Sequence, residues 1–172
     1  MENVILIGMP GSGKSTVGVL LAKALGCGFV DTDLLLQQET GKQLYETIRD
    51  EGLEAFLALE GAAVCTLRPE KPTVIATGGS VVLEPEAMAH LTRLGTTVYL
   101  QLPLSEVKRR LGDITTRGVA MAPGETLGDV YALRTPLYER YAHLTVAAAG
   151  QALEETVTAV MHALAERERK PT

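Results

Sequence analysis

The sequence predicts an α/β fold built on a parallel sheet flanked by helices, and three observations carry that prediction. Short apolar runs of strand length alternate along the chain with stretches of helical periodicity, the pattern of repeated βα units. The first run, Val4-Ile5-Leu6-Ile7, passes directly through a glycine-rich turn into a helical pattern. Two later runs end in Asp31-Thr32-Asp33 and Gly78-Gly79-Ser80, and a parallel sheet gathers such strand ends on one side, where ligands bind.

The elements follow in order. After the first turn, Val17, Leu20, Leu21, Ala24 and Leu25 recur at helical spacing and Gly26 offers a stop. Gly28-Phe29-Val30 is a second strand, and Leu34 to Thr40 is a short helix closed by Gly41. Lys42 to Gly52 reads as a polar connection, and a longer helix is expected from about Leu53 to Leu67, before Pro69 and Pro72. Strands at Thr73–Thr77 and Thr96–Leu102 enclose a helix over Glu84–Leu94. Leu104 to Leu111 is a helix with a basic end, residues 112–125 form a glycine-containing loop, and Glu125–Tyr141 is helical despite Pro136. A strand at Leu144–Ala148 and an amphipathic helix over Leu153–Glu168 complete the chain.

Composition narrows the function. The 172 residues suffice for a sizeable core, and 1–172 reads as a single domain. A net charge of −5, no Trp, two Phe and five Tyr argue against nucleic acid or an anionic membrane as partner, because cations and stacking rings are both scarce. Cys27 and Cys65 lack metal-ligand spacing and read as free thiols. No run reaches about 18 apolar residues and the N-terminus has no targeting pattern, so a cytoplasmic protein is expected.

The turn Gly8-Met9-Pro10-Gly11-Ser12-Gly13-Lys14-Ser15, followed by Thr16, fits G-x-x-x-x-G-K-[ST] without mismatch. Its glycines let successive N–H groups and the next helix's N-terminus converge on phosphate. Gly11, Ser12, Gly13, Lys14, Ser15 and Thr16 are therefore candidate nucleotide contacts, with Lys14 on the β- and γ-phosphates and Ser15 on magnesium. Phosphoryl transfer further asks for a group that takes the acceptor's proton and for cations on the transferring oxygens. Asp31 and Asp33 can face one side if their strand continues, one holding magnesium through water and the other meeting the acceptor hydroxyl; an N-cap role competes. Arg117 lies in the glycine-rich loop and can fold over the nucleotide, or be a solvated surface arginine. Arg134 can bind a carboxylate bidentately or form a helix-surface ion pair. Arg110 can stack on adenine, although helix-dipole complementarity explains a basic helix end equally well.

With these motifs in order, ending in Arg134-Thr135-Pro136-Leu137-Tyr138, the chain resembles the shikimate kinase family nearly end to end. The resemblance implies a three-layer P-loop fold of the nucleoside monophosphate kinase type, with a parallel five-stranded sheet and a lid at about 112–125. It implies ATP and Mg2+ as cofactors, a small-molecule acceptor and a monomer. By resemblance, Lys14 and Arg117 contact the transferring phosphates, Ser15 and Asp31 serve magnesium, and Arg110 is the adenine-stacking arginine. Asp33 binds and deprotonates the acceptor hydroxyl, while Gly78, Gly79 and Arg134 line the acceptor pocket.

Three departures fall on the acceptor side or its lid. The family's Phe-Arg-x-x-Glu is Phe56-Leu57-Ala58-Leu59-Glu60 here, which puts Leu57 where a carboxylate-binding arginine usually stands. Its Gly-Gly-Gly is Gly78-Gly79-Ser80, and its lid sequence Arg-Pro-Leu-Leu is Arg117-Gly118-Val119-Ala120. A missing charge-assisted contact lowers affinity by about one to two decades. Shikimate is the expected acceptor by family. The alternative is homoserine, whose ammonium group can take oxygens from Asp33 and Glu60; a nucleotide or gluconate-type kinase and a non-catalytic nucleotide-binding module rank lower.

Overall fold

The computed structural model describes residues 2–112 and 119–169. Five parallel strands, β1 (Asn3–Ile7), β2 (Gly28–Asp31), β3 (Thr73–Ala76), β4 (Gly95–Gln101) and β5 (Leu144–Ala147), form one sheet in the order β2-β3-β1-β4-β5. The strand at the chain's start thus lies in the middle, and Val4, Ile5, Leu6 and Ile7 are buried on both faces, as a continuous apolar run requires. Strand order reverses at β1, so the crevice past its carboxyl end is the place for a ligand.

Helices α1 (Lys14–Leu25), α2 (Thr32–Thr40), α3 (Leu44–Glu51), α4 (Leu53–Cys65), α5 (Pro85–Leu94), α6 (Leu104–Leu111), α7 (Leu127–Tyr141) and α8 (Leu153–Arg169) flank the sheet. Their ends follow local chemistry. Gly26 and Gly41 close α1 and α2 in the left-handed conformation, and Thr126 and Asp129 cap α7 reciprocally through 3.1 and 2.8 Å bonds. The main core joins both faces of the sheet. A satellite cluster of Leu36, Phe56 and Ala120, with Leu44, Ile48, Leu53, Leu57 and Leu59 packed on it, sits beside the crevice.

The structure corrects two expectations. Lys42 to Gly52 is not simply a polar connection: α3 occupies most of it, held at its start by a 2.8 Å bond from the Gln43 N–H to the Glu46 carboxylate. A glutamine at the cap does not announce a helix, which is why the polar composition concealed it. The strand β2 stops at Asp31, whose carboxylate caps α2 by accepting from the N–H groups of Asp33 (3.0 Å) and Leu34 (3.4 Å). Asp33 is therefore in the first turn of a helix, and the two carboxylates do not share a strand face.

Candidate active site

The loop between β1 and α1 is shaped by its glycines. Gly11 and Gly13 have φ of 78° and 90°, which a side chain at either position would oppose. Gly13 also caps α1 without a side-chain bond, so the first N–H groups of that helix remain free for a ligand. The Lys14 ammonium folds over the loop, donating to the Gly8 and Met9 carbonyls at 2.8 and 2.9 Å and to the Ser12 hydroxyl at 3.4 Å. Burial lowers its pKa to about 8, against the opposing pull of Asp33 and Asp31. Ser15 and Thr16 are exposed into the same space.

One cavity of about 290 Å³ runs from this loop to the ends of β2 and β3. Gly11, Gly13, Lys14, Ser15 and Thr16 line one part; Asp33, Glu60, Gly78, Gly79, Ser80 and Arg134 line the other. Burial raises the Asp33 carboxyl to about 6, with nearby Lys14 pulling it back down. An acid near neutrality beside an ammonium is suited to accept a proton from a hydroxyl.

The glycines past β3 are required by close approach. A methyl group on Gly79 would press into Pro10 of the phosphate loop, at 2.6 Å from its Cδ. A methyl group on Gly78 would collide with Glu60 Oε1 and lie 2.7 Å from Asp33 Oδ1. Both carboxylates thus crowd the bare face of Gly78. The Gly78 N–H donates to the Thr32 hydroxyl at 3.2 Å, and the Tyr138 hydroxyl donates to the Gly79 carbonyl.

Arg134 projects from α7 and is almost wholly buried, with 2 % of its surface exposed. Its Nη2 donates to the Ala120 carbonyl, while Nε and Nη1 have no partner among the described residues. Among those residues it forms no ion pair. Glu60, equally buried, accepts a 2.6 Å bond from the Ser80 hydroxyl on Oε2 and has no partner on Oε1 among the described residues. Burial pushes its pKa up to about 7.

Other candidates lie outside this cavity. Leu57 packs in the satellite cluster rather than lining the cavity. Arg110 does not line it either: the side chain pairs with Glu106 at 2.7 Å and donates to the carbonyls of Gly11 (3.4 Å) and Ala148 (3.0 Å), beside the phosphate loop. Ser12 is buried under the loop, and Asp31 is occupied in part as a cap. Arg117 and Gly118, with residues 113–116 of the expected lid, lie outside the described residues. Ala120 lines the cavity and packs in the satellite cluster with Phe56 and Leu36.

Sequence reasoning assigned no role to Tyr138, Thr32, Phe56 or Leu44. Tyr138 and Thr32 hold the β3 end, and Phe56 and Leu44 wall the cavity. Tyr138 stands four residues after Arg134, one helical turn along the same face, which is the signal that points to it.

Comparison with known proteins agrees with this geometry. A family model described as shikimate kinase matches residues 10–165. A shikimate kinase of Mycobacterium avium is 40 % identical over 144 residues, spanning 83 % of this chain and 81 % of that protein. Shikimate kinase 2 of Yersinia enterocolitica is 34 % identical over 178 residues, 98 % of this chain and 99 % of its own. The solved structure of shikimate kinase from Acinetobacter baumannii in complex with shikimate matches with a TM-score of 0.90 at 28 % identity, covering 99 % of this chain and 96 % of that one. A phosphate loop opening into an acid-bearing pocket, on a fold these enzymes share, makes this protein an ATP-using phosphotransferase that acts on a hydroxyl group of a small molecule, and the chain belongs to the shikimate kinase family.

Proposed function

We propose that the protein transfers the terminal phosphoryl group of ATP to a hydroxyl of a small hydroxylated carboxylic acid, with shikimate, the acceptor of its named relatives, as the first substrate to test. One observation carries this reading: a single cavity is lined at one end by the phosphate loop and at the other by Asp33 and Arg134. Arg134 has two buried nitrogens with no partner among the described residues, suited to a carboxylate, and Asp33 is poised to accept the hydroxyl proton.

The residues present fit ATP and Mg2+. Free N–H groups at the start of α1 and the Lys14 ammonium suit the phosphates, and Arg110 beside the loop suits the adenine edge. Among the described residues no cluster of three His, Cys, Asp or Glu forms a dedicated metal cage. Magnesium characteristically needs none, since it binds through substrate phosphates, water and one or two side chains. Ser15 would be its direct protein ligand and Asp31 would act through water. Bound magnesium would neutralise charge developing on the phosphates.

In the transfer, the acceptor oxygen forms a bond to the γ-phosphorus as the bond from that phosphorus to the β,γ-bridging oxygen breaks. ADP leaves with that electron pair, and the hydroxyl proton passes to Asp33. Lys14 and Arg117 would hold the transferring oxygens. The chain 1–172 would act as one domain with residues 112–125 as its lid, as a cytoplasmic monomer that binds neither nucleic acid nor membrane. No helix among the described residues is long and apolar enough to cross a membrane.

A second acceptor, homoserine, is suggested by position 57, which supplies no guanidinium, beside a cavity-lining Glu60 whose Oε1 has no partner among the described residues. Release of ADP from magnesium-ATP, measured with shikimate, L-homoserine and gluconate, tests the reading. Acceptor-dependent release at ordinary enzyme rates supports it; no dependence on any acceptor would overturn it.

A further inference from the structure

Helix α6 ends in three cations, Lys108, Arg109 and Arg110. Complementing the helix dipole asks only for positive charge near that end, and the exposed Lys108 and Arg109 supply it. Arg110 does more. It turns inward, leaving 22 % of its side chain exposed, and each of its three guanidinium nitrogens reaches an acceptor on a different segment. Nε donates to Glu106 Oε1 at 2.7 Å, Nη1 to the Gly11 carbonyl at 3.4 Å and Nη2 to the Ala148 carbonyl at 3.0 Å. One cation thereby joins α6, the phosphate loop and the chain just past β5.

These bonds run along the guanidinium edge, because every N–H lies in its plane. What Arg110 still presents to a ligand is a face, and a flat cationic face attracts an aromatic ring. Its place suits the base of a nucleotide. Lys14 and the start of α1 meet the phosphates on the cavity side of the loop, whereas Arg110 stands against Gly11 outside that cavity. Leu153, at the start of α8, presents an exposed apolar side chain beside Gly13 of the same loop.

The direction of the face is set by whatever holds the edge. Two of the three acceptors are backbone carbonyls, fixed by the fold. The third, Glu106, stands one helical turn earlier and is the one charged partner of Arg110 among the described residues. Glu106 is itself held, accepting from Arg109 Nε at 2.9 Å and Nη2 at 2.6 Å. Together, the bonds from Arg109 and Arg110 bring its carboxyl down to about 2, so it stays ionised at every working pH.

We propose that Glu106 is a positioning residue for the nucleotide: it locks the plane of Arg110 so that one face receives the base of ATP. The inference rests on the kinase reading above and adds to it a residue that touches neither substrate. Without the carboxylate, Nε loses its charged acceptor and the side chain regains rotamers that turn its face away. The base is then held less tightly, while Lys14, Asp33 and Arg134 keep their places.

The deciding experiment compares the wild-type chain with Glu106→Gln, following ADP release with magnesium-ATP and shikimate. The KM for magnesium-ATP is expected to rise about 3- to 10-fold, between the effect of an exposed ion pair and that of a buried charge-assisted bond. The KM for shikimate and kcat are expected to stay as they are. Titration of both proteins with ADP and with inorganic tripolyphosphate, which carries phosphates and no base, separates base from loop: ADP binding is expected to weaken and tripolyphosphate binding to hold. In an Arg110→Ala background, Glu106→Gln is expected to add nothing further, since the two act as one unit. Unchanged ADP affinity, equal weakening of ADP and tripolyphosphate, or full additivity with Arg110→Ala would overturn the proposal and leave the kinase reading standing. Failure of the wild-type protein to release ADP with any acceptor would overturn the kinase reading, and the titrations would still decide on Glu106. Glu106→Ala gives the same comparison if the amide variant fails to fold.

Discussion

The Tyr138 hydroxyl donates to the Gly79 carbonyl, and that bond ties the helix carrying Arg134 to the strand end that walls the acceptor cavity. Tyr138 also stacks on Tyr99, with ring centroids 5.2 Å apart. Tyr138→Phe preserves the stack and strips the donor from a buried carbonyl. The expected loss is about 1–3 kcal/mol of stability, with a rise in acceptor KM that exceeds the fall in kcat. Thermal unfolding and steady-state kinetics check this; an unchanged melting temperature and KM would mean that the bond does not hold the pocket.

Asp33→Asn removes the proton acceptor while leaving the helix start almost unchanged. Turnover is expected to fall by about 10²- to 10⁴-fold, the usual contribution of a general base. Because burial sets the Asp33 carboxyl near 6, kcat/KM of the wild-type enzyme is also expected to decline as pH falls through about 6. Near wild-type turnover in the variant would remove Asp33 from that role. Lys14→Ala is expected to cost at least as much, through lost charge on the transferring oxygens.

Position 57 is one helical turn before Glu60, so an arginine there can reach its carboxylate. Leu57→Arg is expected to lower the kcat/KM ratio of homoserine to shikimate by tenfold or more, since the new guanidinium answers Glu60 and adds a carboxylate donor. Competition between the two acceptors in one assay reads the ratio directly. An unaltered ratio would show that the position does not set acceptor choice.

Glu60 also makes stability depend on pH in the absence of substrate. Its folded-state pKa, near 7, lies above the ordinary 4.5, so the folded chain holds a proton that the unfolded chain releases. Stability is therefore greatest below about 4.5 as far as this group is concerned, and it is lost as pH rises through 7. Asp33 and Glu84 reinforce the shift, while Arg134 and the Ser80 hydroxyl oppose it. Chemical denaturation between pH 5 and 8 is expected to show a falling midpoint that Glu60→Gln flattens. Parallel curves for the two proteins would place the proton elsewhere.

The donor half of this protein is readable from a contiguous stretch. Residues 8–16 run from the end of a buried strand into a helix, and their spacing alone fixes loop, ammonium and helix start. The acceptor half is assembled from α2, α4, the end of β3 and α7, so its members are distant in sequence. Asp33, Gly78, Gly79, Ser80 and Arg134 could be picked out because they stand at strand ends or in motifs. The surroundings of Glu60 could not, because they bring Asp33, Gly78 and Ser80 together from distant stretches of the sequence. Nor could the start of α2 be placed, since an aspartate at a strand end serves a cap and an active site equally well.

That division between a contiguous donor half and a dispersed acceptor half shapes how the protein can diverge. A change on one turn of α4 leaves the phosphate loop in place, because the two halves share no helix or strand.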